Sequence, residues 1–261
     1  MEKTGCEKGQ SNPLALLKIL EKEIRLANDQ KITLEYLIQR GINEAIPNDK
    51  KMAREVKSRM ELMICECLPQ YILEQEIGSE EIDEFINQLL ENIPSSEEDL
   101  VHIIRSFQIE PLDYSDGLDT FYLIADRDPQ SFKSDQYDTV LQECAHYGVL
   151  FCPSNPTFEL WLLLHYRPVL ENEINLHAEN RKSGRKGEKK RRYTEAEVRK
   201  FIPGYSKKKN ALANSNILNK LPAALENVSS LPTDPEKLKT SVGTAIPLLI
   251  QDMGWKPQSI D

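Results

Sequence analysis

The stretch Phe121–Asp128, FYLIADRD, decides how the second half of this chain folds. Its apolar part suits a buried strand of an α/β sheet, and it ends abruptly in two aspartates, Asp126 and Asp128. Residues at i and i+2 of an extended chain point to the same side. We therefore expect two neighbouring carboxylates at a strand end, an arrangement that suits a Mg²⁺ (or Mn²⁺) ion. The alternative is a turn in which the aspartates cap the next helix or bond the backbone.

About thirty residues later, SNPTFELWLLLHY (154–166) predicts a strand end followed by an apolar helix. Glu159 would begin that helix at the carboxyl edge of the sheet, either as a further ligand or base, or as a favourable first-turn charge. His165 ends the helix, where it could transfer a proton or simply complement the helix dipole. The residues 161–164 are predicted to lie in the core.

The order of elements predicts the fold class. We expect strands at 100–109, 120–125 and 149–152, and helices at 134–148 and 157–165. Strands alternating with helices indicate an α/β domain, residues 100–261, with a mostly parallel sheet flanked by helices and a helical C-terminal part.

Residues 1–95 predict an all-α module instead. Helical spacing covers 13–27, a second helix follows Thr33 to about residue 45, and two more run from 49 or 50 to 68 and from 79 to 91. Pro94 and the acids at 97–99 suggest a boundary. We expect this module to serve self-association (a homo-oligomer) or docking of a partner, rather than chemistry.

The charge is unevenly distributed, with −9 in residues 1–100, −9 in 101–180 and +9 in 181–261. A basic loop at 181–193 contributes much of the positive charge and suggests a polyanionic partner, DNA or RNA. Tyr193 and Tyr205 lie among cations, a pattern that suits unstacked bases, although such runs are also often simply solvated. The candidate nucleic-acid contacts are Arg181, Lys182, Arg185, Lys186, Lys189, Lys190, Arg191 and Arg192.

Other features exclude some classes of protein. The five cysteines are scattered, without the second pair or histidine of a zinc finger, which favours reduced thiols. The polar start and the absence of an apolar run of roughly 18 residues lead us to expect a cytoplasmic protein with neither signal peptide nor membrane span.

The chain resembles the RloB-like family, which includes abortive-infection proteins of the AbiL type. The resemblance rests on LIADRD (123–128), on SNPTFELWLLLHY, and in support on TSVGTAIPLL (240–249), and it covers roughly residues 100–253. It implies a TOPRIM-type fold, in which acidic residues bind Mg²⁺, and a role in bacterial defence against phage.

The sequence departs from that family at one important position. The resemblance implies an opening strand that ends in Glu-Gly followed by Thr-Glu, whose glutamate acts as general acid or base. The nearest candidate is Glu66 in RMELMICEC (59–67), where Cys67 replaces the glycine and the 52–67 stripe fits a helix equally well. Otherwise the acid comes from elsewhere, or the site is degenerate.

Together these features favour a Mg²⁺-dependent nuclease of phage defence. The alternatives are a nucleic-acid-binding or adaptor protein without catalysis and a structural scaffold of a defence complex.

Overall fold

The structure, a computed structural model, describes residues 12–46, 51–92, 98–105, 112–115, 117–129, 131–176, 191–207, 212 and 215–255. The chain divides into two compact units, Met1–Asp119 and Thr120–Asp261. This division falls later in the chain than the boundary suggested near residues 95–100.

The first unit is helical, as predicted, apart from two short antiparallel strands. Its first helix has the predicted bounds and begins after Asn12, whose side chain accepts a hydrogen bond from the backbone N–H of Leu14. The elements are α1 (Pro13–Ala27), β1 (Ile32–Thr33), α2 (Leu34–Ala45), α3 (Lys51–Cys67), α4 (Gln70–Leu73), β2 (Glu76–Ile77), α5 (Ile82–Asn92) and α6 (Glu98–Arg105). Buried side chains from several of these helices, including Leu37, Ile64, Leu89 and Ile104, form its core.

The strand predicted at 100–109 is wrong for residues 100–105, which belong to helix α6, and residues 106–109 lie outside the described residues. Val101 and Ile104, three residues apart, pack against the core of the first unit, whereas His102 and Arg105 are exposed. This is the spacing of one helical face. A short apolar run does not distinguish a buried strand from a buried helix, and here contacts with the first unit decide.

The second unit has the predicted α/β composition around a small sheet. Strand β3 pairs in parallel with β4, and β4 pairs in antiparallel with β5, so the sheet is mixed rather than mostly parallel among the described residues. The elements are β3 (Tyr122–Asp126), α7 (Ser134–His146), β4 (Leu150–Asn155), α8 (Glu159–Leu164), α9 (Glu171–Leu176), α10 (Tyr193–Phe201), α11 (Leu221–Asn227), β5 (Gly243–Thr244) and α12 (Ile246–Asp252).

Helix α7 connects the two parallel strands and ends near Gly148, which has a φ of +67°. A glycine adopts this left-handed conformation without steric cost, which lets the chain turn into β4. Helix α8 then lies almost wholly in the core, and residues 161–164 are buried as predicted. Because β3 and β4 are parallel, they end at the same edge of the sheet, and α8 begins there.

In the parts of the chain that the structure describes, no helix combines the length and apolar character needed to cross a membrane.

Candidate functional site

Three acidic side chains come together at the carboxyl edge of β3 and β4. Asp126 is the last residue of β3, Asp128 follows it, and Glu159 is the first residue of α8. The register pairs Asp126 with Ser154 near the end of β4, so the chain reaches α8 close to the end of β3. In α/β domains the carboxyl edge of parallel strands is where ligands commonly bind.

Asp126 is held in place by the backbone just before α8. Its Oδ1 accepts a hydrogen bond from the N–H of Phe158 at 2.7 Å. Its Oδ2 lies 2.9 Å from the Nζ of Lys207. The side chain remains 32% exposed, so this carboxylate is fixed in position and accessible from solvent.

Glu159 is the most buried acid of the cluster, at 1% exposed. Its Oε1 accepts a hydrogen bond from the hydroxyl of Tyr205 at 3.2 Å and lies 3.4 Å from Nζ of Lys207. Its Oε2 is buried and has no hydrogen-bond partner within the described part of the chain. One ammonium group thus lies between two carboxylates, those of Asp126 and Glu159.

The charge of Glu159 helps to raise the pKa of its two neighbours, Tyr205 and Lys207. Burial and the nearby carboxylate of Glu159 together raise the pKa of Tyr205 above its ordinary value. Burial would lower the pKa of Lys207, but the carboxylates of Asp126 and Glu159 outweigh it, so the pKa of Lys207 is raised. Lys207 therefore carries its full positive charge at neutral pH.

Asp128 is buried and is paired separately. Its Oδ2 accepts hydrogen bonds from the guanidinium of Arg192 and from Oγ of Ser131, the latter at 3.1 Å. Burial would lower the pKa of Arg192, but Asp128 first, and then the charges of Asp126 and Glu159, raise it. Arg192 is thus the second cation of the cluster.

Arg127, between the two aspartates in sequence, anchors the end of β3. It is buried and donates hydrogen bonds to the carbonyl oxygens of Lys239, at 3.1 Å, and of Phe132. Its guanidinium also lies over the ring of Tyr137, 5.2 Å from the centroid. These contacts hold the backbone that carries both aspartates.

The donor set suits a divalent cation in part. Among the residues described, no three His, Cys, Asp or Glu side chains form a group that could hold a metal ion. Mg²⁺, however, is commonly held by one or two carboxylates together with waters and substrate phosphates. Asp126 and Glu159 already share one cation, and Glu159 has a buried oxygen without a partner in the described chain. The metal role of Asp126 and Asp128 stays a prediction.

His165 lies at the end of α8 and its contacts are those of a core residue. Its Nδ1 is 2.9 Å from the carbonyl oxygen of Trp161, and the two rings pack edge to face at 4.8 Å. Burial lowers the pKa of His165, which favours the neutral imidazole. The structure describes no contact between His165 and the acidic cluster.

Glu66 belongs to the first unit, where it lies on an exposed position of α3. The strand end that the family resemblance requires is therefore replaced by a helix at this position. The helical interpretation of the 52–67 stripe is the one that the structure shows for residues 51–67.

The predicted basic loop is described only at its end. Arg181, Lys182, Arg185, Lys186, Lys189 and Lys190 lie outside the described residues. Arg191 pairs with Glu195 at 3.8 Å, and Arg192 pairs with Asp128. Arg192 therefore joins the end of the basic loop to the acidic cluster.

Two members of the site, Lys207 and the hydroxyl of Tyr205, were not predicted as partners of the acids. Their place in a basic, aromatic stretch suggested contacts with nucleic acid only. Lys207 is 81 residues from Asp126 in sequence, and no local pattern signals a contact over that distance.

Neither the curated proteins nor the solved structures gave a match to this chain. A family model described as RloB-like protein matches residues 7–253, which include the helical first unit as well as the α/β unit. By this match over nearly its whole length, the chain belongs to the RloB-like protein family.

Proposed function

We propose that the second unit is a Mg²⁺-dependent (or Mn²⁺-dependent) nuclease that hydrolyses phosphodiester bonds. The observation that carries the proposal is the pair Asp126 and Glu159, which come from separate elements and share one cation at the carboxyl edge of the sheet. Membership of the RloB-like family supports it, because the family resemblance implies a TOPRIM-type domain with acidic metal ligands.

In this proposal Asp126 and Glu159 hold the metal ion. The bound ion would lower the pKa of an attacking water and stabilise charge on the scissile phosphate. Phe158 orients Asp126 through its backbone N–H, and Tyr205 orients Glu159 through its hydroxyl. Asp128 lies beside them and is paired with Arg192, which fixes the position of its carboxylate.

The nucleic acid would be bound by the positive charge that follows the sheet. Residues 181–261 carry +9, and Arg192 brings the end of the basic loop next to the site. Neutralising several phosphates would make the affinity fall steeply as salt rises. The family resemblance further suggests a role in defence against phage. From the sequence we also propose a cytoplasmic location and a helical first unit that docks a partner or a second copy.

A second candidate is a nucleic-acid-binding or adaptor protein that does not cleave. It is favoured by one observation: each acid of the cluster already has a basic partner, Lys207 for Asp126 and Glu159, and Arg192 for Asp128. In that case the acidic cluster stabilises the fold and positions the basic residues.

Cleavage of RNA and DNA pools with Mg²⁺ or Mn²⁺ separates the two candidates. We expect the wild type to cleave one pool and Asp126→Asn and Glu159→Gln to lose the activity. Asp135→Asn, an exposed acid in the first turn of α7, serves as the charge-matched control and keeps it. Tight binding without cleavage by the wild type, with either metal, would establish the adaptor.

A further inference from the structure

Lys207 places a positive charge where the proposed metal ion would bind. Its Nζ lies 2.9 Å from Oδ2 of Asp126 and 3.4 Å from Oε1 of Glu159. The two carboxylates come from different elements, the end of β3 and the start of α8, and they share this one cation. The Lys207 side chain is 53% exposed, whereas Glu159 behind it is almost wholly buried.

The ammonium of Lys207 leaves part of the site unsatisfied. Oε2 of Glu159 has no hydrogen-bond partner among the described residues, although it is buried. A buried carboxylate oxygen without a donor carries a large desolvation cost. A divalent cation carries twice the charge of an ammonium group and would compensate this cost better.

Arg192, the second cation of the cluster, is less exposed to solvent than Lys207. Arg192 pairs with the buried Asp128 and is itself only 23% exposed, so its ion pair is shielded from water. The Lys207 side chain is 53% exposed and that of Asp126 32% exposed, and this ion pair is weakened because water competes for both partners. Lys207 is therefore the cation of the two that a metal ion can replace.

We propose that Lys207 is an internal competitor of the divalent cation at Asp126 and Glu159, and that its displacement makes its ammonium available to a phosphate of bound nucleic acid. This inference rests on the proposed function and adds a regulation to it. Two cations cannot occupy one gap, because like charges a few ångströms apart repel strongly in a partly buried site.

Displacement couples the two ligands of the site. A bound metal ion releases Lys207 toward the phosphate, and a bound phosphate draws Lys207 away from the carboxylates. By linkage, each ligand raises the affinity for the other by the same factor. The site would thus hold metal weakly until a polyanion arrives.

The direct test is the affinity for Mn²⁺ without nucleic acid, measured by electron paramagnetic resonance on the full-length protein. We expect Lys207→Gln to bind Mn²⁺ at least about fivefold more tightly than the wild type, the lower end of typical coupling factors. Lys207→Arg keeps the competing charge and should stay within about twofold of the wild type. Lys200→Gln removes an exposed lysine of α10 that pairs with Glu197, and controls for the loss of one positive charge.

The outcomes separate this inference from the proposed function. If the wild type binds Mn²⁺ through Asp126 and Lys207→Gln binds it equally well, the competition is refuted and the metal site survives. If Lys207→Gln does not bind Mn²⁺ either, the competition is refuted, and the cleavage assay decides separately whether the proposed function survives. Tighter binding by Lys200→Gln as well as Lys207→Gln would also overturn the inference, because the effect would then be one of net charge.

A second measurement addresses the phosphate. The affinity for a phosphorothioate-linked oligonucleotide, followed by fluorescence anisotropy with and without Mn²⁺, should rise with the metal in the wild type. We expect Lys207→Gln to lose most of that rise, since it has no ammonium to release. An equal rise in both proteins would overturn the release of Lys207.

Discussion

The hydroxyl of Ser154 lies 2.7 Å from the hydroxyl of Thr244, in the buried pairing between β4 and β5. Ser154 belongs to the motif that leads into α8, and Thr244 to the motif at 240–249 near the end of the family match. The second motif therefore completes the sheet beside the first. The 240–249 motif thus stabilises β4, which leads to the acidic cluster, but it contributes no acidic side chain to that cluster.

Gly243, beside Thr244 in β5, should be intolerant of substitution because its surroundings leave no space for a Cβ. A Cβ at this position would collide with the carbonyl oxygen of Pro232 and approach Cδ2 of Leu238 to 2.7 Å. We expect Gly243→Ala to destabilise the second unit by about 2 kcal/mol or more, as overpacking does in a buried site. Thermal unfolding measures this. Gly78→Ala is the control, because the added Cβ would meet its nearest atom at 3.7 Å, and an equal loss there would contradict the packing argument.

Asp126→Asn separates binding from stability. The amide oxygen can still accept the hydrogen bond from Phe158, whereas the NH₂ group would face the ammonium of Lys207. Because Lys207 is half exposed and can turn to water, we expect a loss of less than about 1 kcal/mol in the free energy of unfolding. We expect affinity for Mn²⁺ to fall by more than about 100-fold, beyond the usual effect of outer-shell changes.

Urea unfolding and electron paramagnetic resonance measure the two quantities on the same protein. A large loss of stability with Asp126→Asn would show that the aspartate holds the fold rather than a metal. The exposed Asp135→Asn in α7 should change neither quantity.

The sequence predicted those parts of the molecule that local patterns specify. The bounds of α1, the strand that ends at Asp126 and the buried face of α8 follow from periodicity, capping and apolar runs. Strand β5 spans two residues, Gly243–Thr244, too few for an alternating pattern to show, so the mixed sheet was not predicted.

The sequence predicted the acids of the site but not the contacts that their cationic partners make with them. Its acids lie within a few residues of strand and helix ends, where sequence patterns are informative. Its cations, Arg192 and Lys207, reach the acids over 64 and 81 residues of chain, and only the packing of the second unit brings them there. The charge asymmetry along the sequence was the one sign of their presence.

Arg192→Gln should destabilise the second unit. Asp128 is buried, and without the guanidinium its carboxylate would lose the ion pair and hydrogen bond with Arg192. Removing one partner of a buried ion pair typically lowers the free energy of unfolding by about 3–5 kcal/mol. Because Arg192 is partly exposed, we expect a smaller loss of about 2 kcal/mol.

Urea unfolding followed by tryptophan fluorescence reports on the second unit, which contains Trp161 and Trp255. Lys239→Gln is the matched control, because it removes an ion pair with Asp138 that is more exposed. We expect the control to lose no more than about 1 kcal/mol. Equal losses would mean that Asp128 is not stabilised by Arg192.

Glu173 should make the stability of the second unit depend on pH in the acid range. Arg167 donates two hydrogen bonds to its carboxylate, at 2.9 and 2.5 Å, and the hydroxyl of Tyr193 donates a third at 2.6 Å. Hydrogen bonding by Arg167 is the main cause that lowers the pKa of Glu173 to about 2. Glu173 lies in α9 and Tyr193 begins α10, so this contact joins the chain on either side of the basic loop.

The sign follows from linkage. A carboxyl group whose pKa is lower in the folded than in the unfolded protein stabilises the fold above its unfolded pKa, about 4.5, and loses that contribution as pH falls toward 2. We expect Glu173→Gln to lower the free energy of unfolding by up to about 3 kcal/mol at pH 7 and by much less near pH 2. Urea unfolding between pH 2 and 7 measures the difference. The exposed Glu171→Gln in the same helix should show no such pH-dependent loss, and a constant difference for Glu173→Gln would refute the ionic contribution.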